Sequence, residues 1–252
     1  MADEIVASAA NKKAKHHAMG SHLARIVEEG KHDVPESPEP LVCKPRELEP
    51  WRVFKIMSEF VEGFDLLKKY ALAATFFGSL RTQPSDHYYQ QAVELAGKLA
   101  KRGFAVITGG SAGIMEAANK GAYEAGGASI GLNIALDANQ ATNNYVTEKF
   151  TFDHFFVRKV MLTFASEVYV FFPGGFGTMD EFYELVTLVQ TRKIKAMPLI
   201  VFGKEYWEPH LEDINVRLYG KYKVIDEADM EIYHLVDSVD EAYDYIINHV
   251  KC

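Results

Sequence analysis

The feature that most constrains the fold is an alternation, from residue 71 onward, of short continuously apolar runs with longer amphipathic ones. The apolar runs predict five buried strands, at residues 73–77, 104–108, 128–134, 168–172 and 199–202. Helical periodicity predicts helices at residues 86–101, 114–125, 155–165, 179–190, 206–219 and 239–250. Strands that are apolar on both faces are typical of parallel sheets covered by helices. We therefore predict an α/β fold: a Rossmann-like, doubly wound parallel sheet with helices on both faces.

The N-terminal part of the chain has a different composition. Residues 11–32 are rich in Lys and His, and prolines follow within residues 35–45, so we expect residues 1–50 to form a flexible or partly ordered arm. In residues 51–70 the apolar positions recur at spacings of three and four, which predicts a helical extension. Residues 71–252 are then expected to form a single Rossmann-like domain.

Charge and cysteine content exclude several classes of protein. The chain has 27 basic and 35 acidic residues and a net charge of −8, which argues against binding to nucleic acid or to an anionic membrane. Cys43 and Cys252 fit neither a zinc spacing nor a disulfide framework. No run is long and apolar enough to span a bilayer, and residues 1–17 lack the core of a signal peptide. We expect a cytoplasmic protein with no metal and no cofactor.

Candidate ligand-binding turns lie where the predicted strands end. Residues 78–81 read GSLR, residues 109–113 read GGSAG and residues 173–178 read PGGFGT. Ligands of doubly wound sheets bind beyond the carboxyl ends of the strands. Glycine lets the backbone approach a ligand closely, and a following helix offers free N–H groups to a phosphate. Arg81 and Arg158 would add positive charge.

Each of these features also has a structural explanation. Any parallel sheet needs tight turns, so a single Gly-Gly pair is weak evidence, whereas two glycine-rich turns at separate strand ends favour a ligand site. Residues 178–181 read as a capping box, which would give Asp180 and Glu181 a role in starting a helix.

Two common nucleotide motifs are missing, and one hydrolase motif is present. The turn at residues 175–180 departs from G-x-G-x-x-G because Asp180 occupies the third glycine position, and there is no P-loop. Residues 109–113 match the G-x-S-x-G of serine hydrolases, with Ser111 as nucleophile and His154, His210 or His234 as candidate bases. Against this alternative, the turn follows only the second strand and no oxyanion segment precedes it.

Taken together, residues 78–81, 108–117, 158–159 and 173–181 resemble the LOG ("lonely guy") family of cytokinin riboside 5′-monophosphate phosphoribohydrolases, long labelled putative lysine decarboxylases. The similarity runs from about residue 73 to residue 207. It implies hydrolysis of the N-glycosidic bond of a nucleoside 5′-monophosphate, such as AMP or a cytokinin riboside monophosphate. The products would be the free base and ribose 5-phosphate, as for an AMP nucleosidase. The family's members are homo-oligomers, and the helical extension could take part in such an assembly.

The resemblance also implies roles for particular residues. Arg158 and Glu181 correspond to the catalytic pair. A carboxylate such as that of Glu181 stabilises positive charge on the sugar and orients water, whereas arginine is a poor general acid. The rest of the implied pocket binds substrate and phosphate: Gly174, Gly175, Gly177, Thr178, Gly109, Gly110, Ser111, Ser79, Arg81 and Lys159.

The chain departs from the family pattern in three places. Ser111 stands where many relatives have glycine, and residues 136–140 read LDANQ in place of L-P-x-E-Q. Residues 155–157 read FFV where plant enzymes have Met-His-x, and this third difference suggests a bacterial-type pocket. The alternative function is a non-catalytic nucleotide or molybdenum-cofactor carrier, because phosphate-binding turns alone would serve binding. The presence of both Arg158 and Glu181 favours an enzyme. No motif suggests a lysine that binds pyridoxal phosphate.

Overall fold

The computed structural model describes residues 49–135 and 142–250. The predicted arm up to residue 48, and the departure from the family pattern at residues 136–140, lie outside the described residues. Within those two ranges, no helix is both long enough and apolar enough to cross a membrane.

Seven parallel strands form one sheet in the order β4-β3-β2-β1-β5-β6-β7. The strands are β1 (Ala73–Phe77), β2 (Ala105–Thr108), β3 (Ser129–Ile134), β4 (Glu148–Phe152), β5 (Val168–Phe171), β6 (Leu199–Phe202) and β7 (Tyr233–Val236). The chain winds outward from β1 to one edge and then returns to β5, on the other side of β1. The carboxyl ends of β1 and β5 therefore flank the crevice where such sheets bind ligands.

The five predicted strands are confirmed, and the two strands that periodicity missed are the edge strands β4 and β7. Successive residues of β4 alternate between half-buried and exposed until the buried Phe152. A strand at the edge carries polar residues on its open face, so it lacks the continuous apolar run of an interior strand.

In the two described ranges, seven α-helices flank the strands, and the predicted helices are confirmed with shifts at their ends. They are α1 (Arg52–Leu67), α2 (His87–Lys101), α3 (Ile114–Glu124), α4 (Phe155–Thr163), α5 (Phe176–Gln190), α6 (Lys204–Asp213), which continues as a π-helical stretch at Ile214–Lys221, and α7 (Val239–His249). A short 3₁₀ turn lies at Glu227–Glu231. Helix α5 begins three residues before its predicted start.

Two apolar cores cover the two faces of the sheet. This confirms the prediction, made from the continuously apolar strands, that helices cover both faces. One core joins alternate strand residues such as Phe76 and Val170 to α2, α3 and α7. The other joins Phe77 and Tyr169 to α1, α4, α5 and α6. Helices α4 and α5 thus lie on the same face, each beginning near the carboxyl end of a strand.

Candidate active site

Three loops meet at the carboxyl ends of β1, β2 and β5, and backbone hydrogen bonds tie them together. The Ser79 N–H donates to the carbonyl oxygen of Pro173 at 2.9 Å. The Ile114 N–H, at the start of α3, donates to the carbonyl oxygen of Ser79 at 3.0 Å. Gly113 lies beneath this junction, and a β-carbon there would come within 2.2 Å of the Ser79 oxygen. The three predicted turns therefore form one structural unit.

A cavity of about 820 Å³ opens between these loops and α4. Ten of the twelve residues implied as site residues line it: Ser79, Arg81, Gly109, Ser111, Arg158, Gly174, Gly175, Gly177, Thr178 and Glu181. Such a volume is in the range of small-ligand pockets.

Gly110 and Lys159 do not line the cavity wall. Gly110 has a positive φ of 72°, and a β-carbon there would lie 2.4 Å from Asn133 Oδ1, so the fold itself requires glycine. Lys159 Nζ lies 2.6 Å from Asp180 Oδ2, 3.1 Å from Glu184 Oε2 and 3.9 Å from Glu181 Oε2. These carboxylates outweigh the effect of burial and raise the pKa of Lys159. Lys159 thus organises acidic side chains of α5 instead of facing the cavity.

The first turn of α5 presents backbone donors to the cavity. The first intrahelical bond runs from the Met179 N–H to the Gly175 oxygen at 3.1 Å. The preceding N–H groups, from residue 176 to residue 178, have no acceptor among the described residues. Free N–H groups at a helix N-terminus form an anion site, which suits a phosphate. The Tyr206 hydroxyl donates to the Gly174 oxygen at 2.6 Å and holds this turn in place.

The glycines of this turn differ in what the fold needs from them. A β-carbon on Gly174 would lie 2.1 Å from Thr178 Oγ1, whereas one on Gly177 would meet nothing within 4 Å. Because Gly177 is helical and unobstructed, Gly177→Ala should raise the free energy of unfolding by about 0.5–1 kcal/mol. The same methyl group should weaken AMP binding, since it would stand beside the free N–H groups. Calorimetric titration and urea unfolding measure the two effects, with Gly174→Ala as the matched variant that should destabilise the fold. A Gly177→Ala variant that binds AMP like the wild type would show that these N–H groups do not bind its phosphate.

Glu181 does not cap a helix, so the capping-box interpretation of residues 178–181 is wrong. Helix α5 begins at Phe176, which places Thr178 and Glu181 inside it. The Glu181 carboxylate is buried on the cavity wall, and its Oε2 atom has no hydrogen-bond partner in the described part of the chain. Burial raises the pKa of Glu181 from 4.5 to about 7, against the opposing effect of Lys159. A carboxyl group with such a pKa can exchange protons near neutral pH.

Arg158 belongs to α4, and its side chain lines the same cavity as Glu181. Burial lowers the pKa of its guanidinium group, and the charge of Glu181 opposes that shift. Its Nε atom is buried and has no hydrogen-bond partner among residues 49–135 and 142–250, while its Cζ atom lies 4.9 Å from the centre of the Phe155 ring. A β-carbon on Gly109 would lie 3.1 Å from Arg158 Nη1, so this glycine makes room for the guanidinium. The cavity thus holds a half-buried cation and a buried acid, and each has an atom without a hydrogen-bond partner in the described part of the chain.

Some residues that form or support the site belong to none of the sequence motifs and were not predicted. The cavity also has an apolar wall, formed by Phe77, Leu80, Met115, Ile134, Phe155 and Leu162. Beneath the second loop, Asn119 Oδ1 accepts hydrogen bonds from the Thr108 hydroxyl at 2.6 Å and from Asn143 Nδ2 at 2.9 Å. Tyr206 and Asn143 carry no recognisable motif, because their roles arise only where distant segments meet.

The serine-hydrolase alternative lacks its base. Among the described residues, no histidine lines the cavity beside Ser111. His154 is buried against Glu59, His210 pairs with the Tyr183 hydroxyl, and His234 stacks on Tyr245. Nor do those residues include a group of three or more His, Cys, Asp or Glu side chains that could hold a metal ion.

The fold and the site define an α/β protein in which one cavity holds the free N–H groups that open α5, the Glu181 carboxylate and the Arg158 guanidinium. Residues 115–246 match the model of the family described as "possible lysine decarboxylase", and the chain belongs to this family, which confirms the resemblance to LOG proteins.

Two curated relatives are named cytokinin riboside 5′-monophosphate phosphoribohydrolases. LOG3 of Arabidopsis thaliana is 28% identical over 133 residues, which cover 52% of this chain and 61% of that protein. LOG of Oryza sativa is 27% identical over 131 residues, which cover 51% and 54%. The chain thus spans less than two thirds of either relative. The molybdenum cofactor binding protein of Rippkaea orientalis superposes with a TM-score of 0.53 over 70% of this chain and 94% of that one, at 18% identity, which shows the fold alone.

Proposed function

We propose that the chain hydrolyses the N-glycosidic bond of a nucleoside 5′-monophosphate, AMP or a cytokinin riboside monophosphate, to the free base and ribose 5-phosphate. One observation carries the proposal: the buried carboxylate of Glu181, whose Oε2 atom has no hydrogen-bond partner among the described residues, shares a cavity with the free N–H groups that open α5. A phosphate site alone would serve any nucleotide protein, whereas a carboxylate on the same wall suits chemistry at the sugar.

The positions of the cavity residues suggest a separate role for each in the reaction. The 5′-phosphate binds the N–H groups of residues 176–178, with Arg81 on the same cavity wall. As the C1′–N bond breaks, the Glu181 carboxylate stabilises the positive charge that develops on the ribose. It also accepts a proton from the water whose oxygen attacks C1′. The departing base nitrogen takes a proton from solvent water, and Glu181 then returns its own proton to solvent, so that one water is consumed overall. Arg158 stays charged and acts on the anionic substrate electrostatically.

The name of the family suggests a different reaction, but the cavity does not favour it. Decarboxylation of lysine through a Schiff base needs a lysine side chain in the cavity. The cavity wall formed by the described residues includes none, and Lys159 pairs with three carboxylates of α5. The second candidate function is the nucleotide or molybdenum-cofactor carrier, since the fold of such a protein superposes on this one.

A nucleotide panel separates the enzyme from the carrier. Purified protein is incubated with AMP, GMP, CMP and isopentenyladenosine monophosphate, and free bases are separated by chromatography. Binding of each nucleotide is measured in parallel by calorimetry. We expect base release, and the relative rates rank the substrates. Binding of a nucleotide with no release from any of the four would favour the carrier.

We further infer that the chain assembles as a homo-oligomer through the outer face of α1. Val61 is 67% exposed, and Phe54, Met57 and Phe64 are about half exposed on the same helix. Apolar patches of this kind mark interaction surfaces, and a second copy of the chain supplies the same apolar face by symmetry.

Light scattering tests the assembly. We expect a mass of at least twice 28.3 kDa for the wild type and a lower mass for Val61→Glu. Val224→Glu is the matched control, because Val224 is 65% exposed but lies outside α1. A monomeric wild type would exclude the assembly.

A further inference from the structure

Helix α1 and the start of α4 are joined by a buried polar contact. The Glu59 carboxylate accepts the backbone N–H of His154 at 3.2 Å and that of Asp153 at 3.3 Å. Its Oε1 atom also lies 2.8 Å from His154 Nδ1. Glu59 is 6% exposed and His154 is 5% exposed. A carboxylate that binds backbone N–H groups just before a helix stabilises that end of the helix.

Arg52 determines which ring nitrogen of His154 carries the proton. Arg52 Nε lies 3.0 Å from His154 Nε2 and can only donate a hydrogen bond. His154 Nε2 is therefore the acceptor, so Nδ1 carries the proton and donates to Glu59. Both hydrogen bonds form together in this tautomer of the neutral ring. We call the three residues, Arg52, Glu59 and His154, the α1–α4 latch.

One turn further along α1, the two helices also pack closely against each other at Gly63. A β-carbon on Gly63 would lie 2.7 Å from Met161 Sδ, so α1 approaches α4 more closely than any larger residue allows. Helix α1 is thus held against α4 at two levels, by the latch residues Arg52 and Glu59 and, one turn after Glu59, by Gly63.

The latch lies one helical turn from Arg158. The Arg158 N–H donates to the His154 oxygen at 3.2 Å, and the Val157 N–H donates to the same oxygen at 3.1 Å. Arg158 Nε has no hydrogen-bond partner among the described residues, and its guanidinium contacts the ring of Phe155, which is also in the first turn of α4. The start of α4 therefore carries both the backbone of Arg158 and this contact. A displacement of that start is transmitted directly to Arg158.

We propose that Glu59 and His154 are positioning residues, through which α1 fixes Arg158 in the cavity. The inference rests on the proposed function. It goes beyond the family comparison, because α1 precedes the matched residues 115–246. The positioning residues act on substrate only through Arg158 and touch no cavity wall themselves.

A double-mutant cycle on AMP binding tests the latch. Glu59→Ala should weaken AMP binding about tenfold and lower kcat/KM at least as much, because small displacements of a positioning group are costly. In an Arg158→Ala background, Glu59→Ala should have little further effect, since the group that it positions is gone. A general loss of structure would instead add to the effect of Arg158→Ala. Glu62→Ala is the matched control, because Glu62 is an acid on α1 whose side chain, among the described residues, accepts a hydrogen bond only from the Ser58 hydroxyl.

Further variants keep the test decisive if Glu59→Ala fails to fold. Glu59→Gln retains one acceptor oxygen and should fall between the wild type and Glu59→Ala, and Gly63→Ala should weaken AMP binding through the second level of contact. If the wild type cleaves AMP and Glu59→Ala behaves like Glu62→Ala, the latch is refuted and the proposed function stands. Independent effects of Glu59→Ala and Arg158→Ala also refute it. A wild type that neither binds nor cleaves any nucleotide removes the proposed function and the latch together.

Discussion

Glu181→Gln should lower kcat for nucleotide hydrolysis by about 10²–10⁴-fold while leaving AMP binding nearly unchanged. The substitution keeps the size of the side chain and removes its charge and its ability to accept a proton. Both properties are needed only when the C1′–N bond breaks, so the loss should appear in kcat and not in KM. Steady-state assays of base release with AMP measure both constants.

Glu184→Gln is the matched control for this prediction. Glu184 lies one turn further along α5 and contacts Lys159, but it does not line the cavity. We expect Glu184→Gln to retain most of the activity. A Glu181→Gln variant that releases base at the rate of the wild type would show that this carboxylate takes no part in catalysis.

Glu181→Gln should also make the fold more stable, and increasingly so as the pH rises. Burial raises the pKa of Glu181 from 4.5 to about 7, so the folded protein favours the protonated form. The stabilisation from this proton is fully present below pH 4.5 and is lost as the pH rises through 7. Above pH 7 the wild type therefore carries a burial penalty of about 3 kcal/mol, by 1.36 kcal/mol per pKa unit. The variant has no such penalty.

Urea unfolding at pH 5 and at pH 8 measures the difference. We expect the gain in unfolding free energy for Glu181→Gln over the wild type to be small at pH 5 and to reach about 2–3 kcal/mol at pH 8. Glu184→Gln should show a smaller gain, because it removes only one of the neighbouring charges that raise the pKa of Glu181 and leaves its burial unchanged. A gain that is equal at both pH values would mean that the Glu181 carboxyl is not destabilised by burial. Together the two results for Glu181 would identify a residue kept for its chemistry at the expense of stability.

Much of the fold follows from local pattern. The interior strands β1, β2, β3, β5 and β6 are apolar on both faces, and this property is visible in a few consecutive residues. The edge strands β4 and β7 depend on which neighbours the sheet provides, and no short window contains that information. The location of the site was predictable for a related reason: loops that follow parallel strands must meet at one edge of the sheet.

The details of the site were less predictable because they depend on where helices begin. Residues 178–181 have the composition of a capping box, but α5 starts at Phe176 and turns Glu181 into the cavity wall. Lys159 follows Arg158 directly, yet successive helical residues point in different directions, and only Arg158 reaches the cavity. The latch between Glu59 and His154 joins residues that are 95 positions apart, so no local pattern indicates it.

The central claim is that this cavity breaks the bond between base and ribose. The most direct test is the identity of the products formed from AMP by the wild-type protein, with Glu181→Gln run in parallel. We expect equimolar adenine and ribose 5-phosphate, and a large loss of both in the variant. Adenosine and inorganic phosphate, or intact AMP in the presence of demonstrated binding, would contradict the claim.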